Sequence, residues 1–127
     1  MLFLSQHTSQ HKGLVMMQES TLFNEIKTLI HAHDVVLFMK GTCLLPQCGF
    51  SGFVAQVLER FHIPVKDVNI LERSDLRQGI KDFSDWPTIP QLYIKGEFIG
   101  GADIVRDMFK SGDLEKLLVE KGLLSRS

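Results

Sequence analysis

A short apolar run that leads through a loop to a cysteine constrains the fold of this chain more than any other feature. Val35 to Met39 is continuously apolar, which indicates a strand buried on both faces. The loop 40–47 follows, and apolar residues then repeat at helical spacing from Phe50 to Phe61. We expect this helical stripe to pack in the core, with Phe50 as the one member close enough to Cys48 to serve the site as well. The order predicts strand, loop and helix, with Cys48 near the helix N-terminus.

The predicted position of Cys48 favours a reactive sulfur. Unpaired backbone N–H groups and the positive end of the helix dipole stabilise a thiolate there. Lys40 adds a positive charge if the loop folds back. Ser51 stands where a C-x-x-C dithiol site would have its second cysteine. A lone thiolate of this kind can form mixed disulfides or ligate a soft metal.

The remainder of the chain completes an α/β pattern. Strands are predicted after Pro64 and on either side of Lys95-Gly96, which is a two-residue hairpin signal. Helical spacing predicts four further helices, near residues 20–30, 74–83, 103–109 and 114–118. The order of elements therefore predicts one mixed sheet with helices on both faces.

Local signals refine the predicted helices. Ser74 or Asp75 is expected to cap one helix, and Asp103 is expected to cap another. Arg77 and Lys81 are four residues apart and therefore share one helix face. The pattern alone favours a solvated cationic face for this pair, with an anion site as the alternative.

Composition limits the class of protein. A chain of 127 residues is long enough for one domain, and its 44% hydrophobic content and net charge of −1 are ordinary for a water-soluble protein. No basic run supports nucleic-acid binding, and the apolar runs are too short to span a bilayer. Two cysteines do not make a disulfide framework, so a reducing compartment is expected.

Three separated motifs together resemble the monothiol glutaredoxins. The motifs are Cys48-Gly49-Phe50-Ser51, Trp86-Pro87-Thr88-Ile89-Pro90-Gln91 and Gly100-Gly101-Ala102-Asp103-Ile104-Val105. The resemblance implies a thioredoxin-like α/β fold, with a four-stranded mixed sheet flanked by helices. We expect a glutaredoxin domain at 19–122 and a C-terminal tail at 123–127. The resemblance leaves out the first part of the chain, and the sequence of residues 1–18 predicts a disordered extension. A cytoplasmic protein is expected, with the mitochondrial matrix or a plastid as the eukaryotic alternatives.

The resemblance also implies a glutathione site. Lys40 and Arg77 would supply charge, with Lys81 as a weaker candidate, and Ile89 would pair its backbone with the ligand. Ala102 and Asp103 would hold the γ-glutamyl end. The Ile89–Pro90 peptide bond would be cis and would face the active cysteine, Cys48.

Cofactor and partners follow from the same resemblance. A 2Fe-2S cluster takes four thiolates, which two Cys48 side chains and two glutathione molecules would supply in a homodimer. The implied function is cluster transfer in iron–sulfur protein assembly, with BolA-type, scaffold and acceptor proteins as partners. The first alternative is a glutathione-dependent disulfide oxidoreductase acting through Cys48 alone. The second alternative is a redox-inert module that binds partners.

Two positions depart from the family pattern. Cys43 stands where the family often has proline, and Ala102 stands where it often has cysteine. Cys43 is expected to be dispensable for the cluster but able to trap Cys48 as a disulfide under oxidation. A zinc site built from both cysteines and histidines has poor spacing.

Overall fold

A computed structural model describes residues 21–125 of the chain, so the predicted extension at 1–18 lies outside the described residues. The first helix, α1, runs through residues 21–32 of this part. The later elements, in chain order, are β1 Val35–Met39, α2 Gly49–Glu59, β2 Lys66–Asn69, α3 Ser74–Ser84, β3 Gln91–Ile94, β4 Glu97–Gly100, α4 Ala102–Ser111 and α5 Asp113–Glu120. Within residues 21–125, no helix is long and apolar enough to cross a membrane.

The four strands form one mixed sheet in the order β2-β1-β3-β4. β1 pairs in parallel with β2, with Met39 opposite Asn69. It pairs antiparallel with β3, and β3 pairs antiparallel with β4 across the hairpin at Lys95-Gly96. Because β1 is central, all five of its residues are buried, as its continuous apolar run predicted. The predicted thioredoxin-like fold is confirmed.

Helices cover both faces of this sheet, and each face has its own core. On one face, α2, α4 and α5 bury apolar side chains such as Val54, Val105 and Leu118 against β1 and β3. On the other face, α1 and α3 bury Ile26 and Ile80 against the opposite side of the same strands. The two cores fix the ends of β1 and α2 relative to one another, which positions the loop between them.

The predicted helix caps are wrong by one or two residues. The N-cap of α3 is Arg73, whose carbonyl accepts the N–H of Arg77 at 3.0 Å, rather than Ser74 or Asp75. The N-cap of α4 is Gly101, whose carbonyl accepts the N–H of Val105 at 3.0 Å. Asp103 therefore lies in the first turn of α4, where its charge still faces the positive helix end.

The C-terminal tail is in part packed on the core. The N–H of Leu123 donates to the Leu118 carbonyl at 2.9 Å. Leu123 and Leu124 lie against the core on the α2, α4 and α5 face. Gly122, with a positive φ of 74°, lets the chain turn back after α5.

Candidate functional site

The loop that carries the cysteine is a closed, hydrogen-bonded turn between β1 and α2. The N–H of Gln47 donates to the Lys40 carbonyl at 2.9 Å, and Gly41 pairs with Pro46 as an antiparallel bridge. Gly41 has a φ of +87°, and a Cβ there would lie 2.5 Å from the carbonyl oxygen of Leu45. Glycine is therefore required for the loop to close.

Side chains from the end of β2 fasten the same loop. The carboxamide oxygen of Asn69 accepts the N–H of Gly41 at 2.9 Å, and the carboxylate of Asp67 accepts the N–H of Cys43 at 2.8 Å. The Asn69 oxygen also accepts the N–H of Leu71 at 3.0 Å. The contacts to Gly41 and Cys43 are nonlocal, so the loop is held against the sheet and not only by its own turn.

Cys48 was predicted near the helix N-terminus and is the N-cap residue of α2, and its side chain is partly exposed. The pKa of its thiol is lowered, first because the backbone N–H of Ser51 points at the sulfur. Partial burial opposes this shift, while the N–H of Phe50, the charge of Lys40 and the Ser51 hydroxyl assist it. Helix amides thus contribute more than Lys40 to stabilising the thiolate.

Ser51 has a second role that the sequence did not reveal. Its side chain is fully buried, and its hydroxyl oxygen accepts the backbone N–H of Lys40 at 3.1 Å. The residue that replaces a second cysteine therefore ties the loop to α2. An accepting hydroxyl keeps its own hydrogen free to donate toward Cys48.

A cavity of about 470 Å³ opens beside the Cys48 sulfur. It is lined by every residue that the sequence assigned to the site: Cys48, Lys40, Arg77, Ile89, Ala102 and Asp103. The weaker candidate Lys81 also lines it, one helical turn from Arg77. The structure thus brings together residues from the loop between β1 and α2, from α3, from the segment before β3 and from the start of α4.

Positive side chains outnumber negative ones around this cavity. Three cations, Lys40, Arg77 and Lys81, line it together with one carboxylate, Asp103. Arg77 is exposed and Lys81 is half-buried. Asp103, in the first turn of α4, forms an ion pair with Arg106 at 3.5 Å. The cavity can therefore receive an anionic ligand that also carries an ammonium group.

The segment from Trp86 to Pro90 forms one wall of the cavity, and its Ile89–Pro90 peptide bond is cis, as predicted. A Cβ on Gly101 would lie 3.2 Å from the indole nitrogen of Trp86 and 3.3 Å from the Pro90 carbonyl oxygen. This close approach explains why glycine precedes α4. Trp86 and Thr88 were known from the sequence only as motif members, and their place in the wall emerges from the fold.

A neighbouring surface is apolar and exposed. Leu44 and Leu45 at the loop tip are 92% and 71% exposed, and Phe50 is 65% exposed. Phe53, which is 37% exposed, and Pro46 line an open groove on the other side of Cys48. The prediction that the helical stripe is core is therefore wrong for Phe53. Phe50, which the sequence placed close enough to Cys48 to serve the site as well, lines the cavity. Both residues precede Val54, the first apolar residue of α2 that is fully buried.

Cys43 differs from Cys48 in its surroundings and in the direction of its pKa shift. It packs against the core, and its sulfur lies 3.9 Å from the sulfur of Met39. Burial, assisted by the charge and hydrogen bond of Asp67, raises the pKa of its thiol to about 11. Both cysteines are free. Within residues 21–125, no three His, Cys, Asp or Glu side chains are grouped to hold a metal ion.

The fold and the position of the sulfur define a class of protein. A thioredoxin-like sheet that presents one thiolate-stabilised cysteine at a helix N-terminus, with serine three residues later, is a single-thiol member of that fold class. Comparison with known proteins then narrows the class to a family.

The sequence model of the glutaredoxin family matches residues 35–99. Monothiol glutaredoxin-S14, chloroplastic, from Arabidopsis thaliana is 52% identical over 104 residues, which cover 82% of this chain and 60% of that protein. Probable monothiol glutaredoxin 2 of Rickettsia typhi is 45% identical over 87% of this chain and 100% of that protein.

A solved structure agrees with these relatives. The solution structure of reduced poplar apo GrxS14 is 50% identical and superposes with a TM-score of 0.69, covering 77% of this chain and 90% of that one. The chain belongs to the glutaredoxin family and, by its relatives, to the monothiol glutaredoxins.

Proposed function

We propose that the protein binds glutathione beside Cys48 and, as a homodimer, carries a 2Fe-2S cluster for transfer in iron–sulfur protein assembly. The observation that carries this proposal is the placement of a single thiolate-prone sulfur at the edge of a cavity lined by three cations. BolA-type proteins and iron–sulfur scaffold or acceptor proteins are the proposed partners. The exposed leucines at the loop tip give such partners an apolar contact next to Cys48.

The cavity suits glutathione in size and charge. Its volume of about 470 Å³ lies within the usual range for small-molecule sites. Glutathione carries two carboxylates and one ammonium group around a central thiol. Lys40 and Arg77 would pair with one carboxylate, and the N-terminal amides of α4 would take the other. Asp103 would accept from the ammonium, sharing its charge with Arg106.

The donor set of the chain fits a shared cluster. Clusters of this type are held by four thiolates, and the chain has two cysteines in all. Cys43 is packed against the core with a pKa of about 11, so Cys48 is the thiolate that one chain can offer. The other ligands would come from glutathione and a second copy. The bound cluster is the cargo, and the chain supplies one sulfur and holds the glutathione in place.

Anaerobic reconstitution tests this proposal. The protein is incubated with iron, sulfide and either glutathione or 2-mercaptoethanol, which has a thiol but neither carboxylate nor ammonium. A visible spectrum reports the cluster, and light scattering reports the mass. We expect a cluster and a dimer with glutathione and neither with 2-mercaptoethanol. Equal cluster yields with both thiols, or a cluster-loaded monomer, would contradict the proposal.

A second candidate function is glutathione-dependent disulfide reduction, which the lowered pKa of Cys48 favours. The Cys48 thiolate would attack the glutathione sulfur of a mixed disulfide, and the substrate thiolate would leave. A second glutathione thiolate would then attack that sulfur, releasing oxidised glutathione and restoring Cys48. Efficient multiple-turnover reduction, with no cluster recovered under anaerobic conditions, would rank this function first.

A further inference from the structure

A buried glutamine lies directly beneath the cavity wall. The side chain of Gln91, the first residue of β3, is fully buried and does not line the cavity. Its amide nitrogen donates to the carbonyl of Trp86 at 3.1 Å and to the carbonyl of Thr88 at 3.2 Å. Its amide oxygen accepts the hydroxyl of Tyr93 at 3.4 Å. One side chain therefore holds two carbonyls of the wall from below.

The same wall is fastened at its other end. The hydroxyl oxygen of Ser84, at the end of α3, accepts the N–H of Trp86 at 3.1 Å and donates to the Ile80 carbonyl at 2.8 Å. Tyr93 is 2% exposed, and burial raises the pKa of its phenol to about 12, so it remains a donor at neutral pH. The polar groups beneath the wall thus link α3, the wall and β3.

The wall depends on these groups because its own backbone offers few hydrogen-bond donors. Two of its five residues are prolines and have no N–H. Among the residues that the structure describes, no backbone hydrogen bond engages the N–H of Ile89. Of the uncharged side chains, only glutamine and asparagine can donate two hydrogen bonds and accept another. A carboxylate at position 91 would instead repel both carbonyls.

We propose that Gln91 is a positioning residue for ligand recognition. It pulls the carbonyls of Trp86 and Thr88 toward the core and so holds Ile89, which lines the cavity, with its N–H available to a ligand. This inference rests on the proposed binding of glutathione in the same cavity. A ligand bound by a preformed backbone loses less entropy on binding, so a loosened wall weakens recognition and leaves the chemistry of Cys48 unchanged.

Two reactions of the same sulfur separate recognition from reactivity. Oxidised glutathione must be held by the cavity as it reacts with Cys48, whereas iodoacetamide reports only the thiolate. We expect Gln91→Met and Gln91→Glu to react with oxidised glutathione about tenfold more slowly, because small displacements of a bound ligand are costly. Their reaction with iodoacetamide should match that of the natural protein. If both Gln91 variants react with oxidised glutathione and with iodoacetamide as fast as the natural protein does, the proposal is overturned.

Matched variants exclude a general effect of lost stability. Leu118→Ala removes a fully buried side chain on the opposite face of the sheet and should lower the midpoint of urea unfolding. We expect it to leave unchanged the ratio of the rate with oxidised glutathione to the rate with iodoacetamide. A fall in that ratio as large as in Gln91→Met would make Gln91 a stabilising residue only. If the Gln91 variants fail to fold, Ser84→Ala decides, because it removes the side-chain acceptor of the Trp86 N–H and leaves that group only the Lys81 carbonyl at 3.2 Å. An unchanged ratio in Ser84→Ala would then overturn the proposal.

The natural protein provides the remaining comparison. If its Cys48 reacts with oxidised glutathione no faster than with hydroxyethyl disulfide at equal concentration, both the glutathione site and the role of Gln91 are refuted. If the natural protein prefers oxidised glutathione and Gln91→Met keeps that preference, only the role of Gln91 is refuted.

Discussion

The backbone N–H of Lys40 donates to the buried hydroxyl of Ser51 at 3.1 Å. This bond joins the start of the active loop to the first turn of α2. The serine that makes this a single-thiol site is thus also a structural anchor for the cation beside Cys48. The N–H of the same serine is the leading cause of the lowered pKa of Cys48.

Replacing Ser51 by alanine should raise the pKa of Cys48, since the hydroxyl no longer favours the thiolate. The rise should be incomplete because the N–H at position 51 remains. The pH dependence of alkylation by iodoacetamide measures this, with Ser111→Ala as an exposed control. Losing the acceptor of the Lys40 N–H should also cost about 1–3 kcal/mol of unfolding free energy. An unchanged pH midpoint would contradict the assigned role of the hydroxyl.

The sign of the pH effect on stability follows from the same shift. The folded-state pKa of Cys48 lies below its ordinary value of 9.0, so the folded thiolate stabilises the protein fully above that unfolded value. This stabilisation is lost as the pH falls through the folded pKa. Ser51→Ala should therefore flatten the dependence of unfolding free energy on pH in this window.

Cys48→Ser should abolish both cluster binding and the mixed disulfide with glutathione. The fold should be kept, because serine is a favourable N-cap residue and its hydroxyl oxygen can accept the same N–H groups of α2. Unfolding free energy should change by less than about 0.5 kcal/mol, as for other partly exposed positions. Urea unfolding measures the stability of the variant, and anaerobic reconstitution measures its cluster binding. A cluster bound at full occupancy by this variant would refute the ligand assignment.

Much of this site could be predicted from the sequence, because its signals are local. The apolar run of β1 and the helical spacing after Cys48 fixed the position of the sulfur before any contact was known. The buried roles of Ser51 and Gln91 could not be predicted in this way. Their partners lie on other elements or across an irregular segment, and no periodic pattern identifies a hydrogen bond between such residues. The cap of α4 was misassigned because Gly101 supplies a carbonyl, not a side chain.

Arg77→Ala and Lys81→Ala should each weaken glutathione binding by about 1 kcal/mol, or about fivefold, since these cations are at least partly exposed and screened. Lys116→Ala removes an exposed charge that does not line the cavity and serves as the control. Calorimetric titration at two salt concentrations measures the losses. The loss of affinity caused by each substitution should be smaller at higher salt. A loss as large for Lys116→Ala as for Arg77→Ala would indicate only a general charge effect.

If two copies share one cluster, the surfaces around the two Cys48 thiols face each other across a twofold axis. Such an interface presents each residue to its own copy or to a near neighbour. The chain carries no charge between Lys40 and Glu59, so nothing in this stretch repels a second copy. Leu44→Glu should therefore weaken the cluster-loaded dimer by repulsion between the two glutamates.

A mixture gives the sharper test. Leu44→Glu and Leu44→Lys should each dimerise poorly when alone and should form a mixed dimer when combined with iron, sulfide and glutathione. Light scattering and mass spectrometry under native conditions distinguish the three species. Equal amounts of all dimers, whatever the charge at position 44, would place the loop tip outside the interface.

Cys43 provides the last prediction. Its thiol is partly buried beside Asp67 and has a pKa of about 11, so almost none of it is thiolate at neutral pH. Because disulfide exchange requires a thiolate, the disulfide trap predicted between Cys43 and Cys48 should form slowly. Asp67→Asn should accelerate trapping, since it removes the negative charge while keeping an oxygen that can accept the N–H of Cys43. Thiol counts after mild oxidation, with Cys43→Ala as the control, measure the rate. Rapid loss of both thiols in the natural protein, unaffected by Asp67→Asn, would show that burial and charge do not protect Cys43.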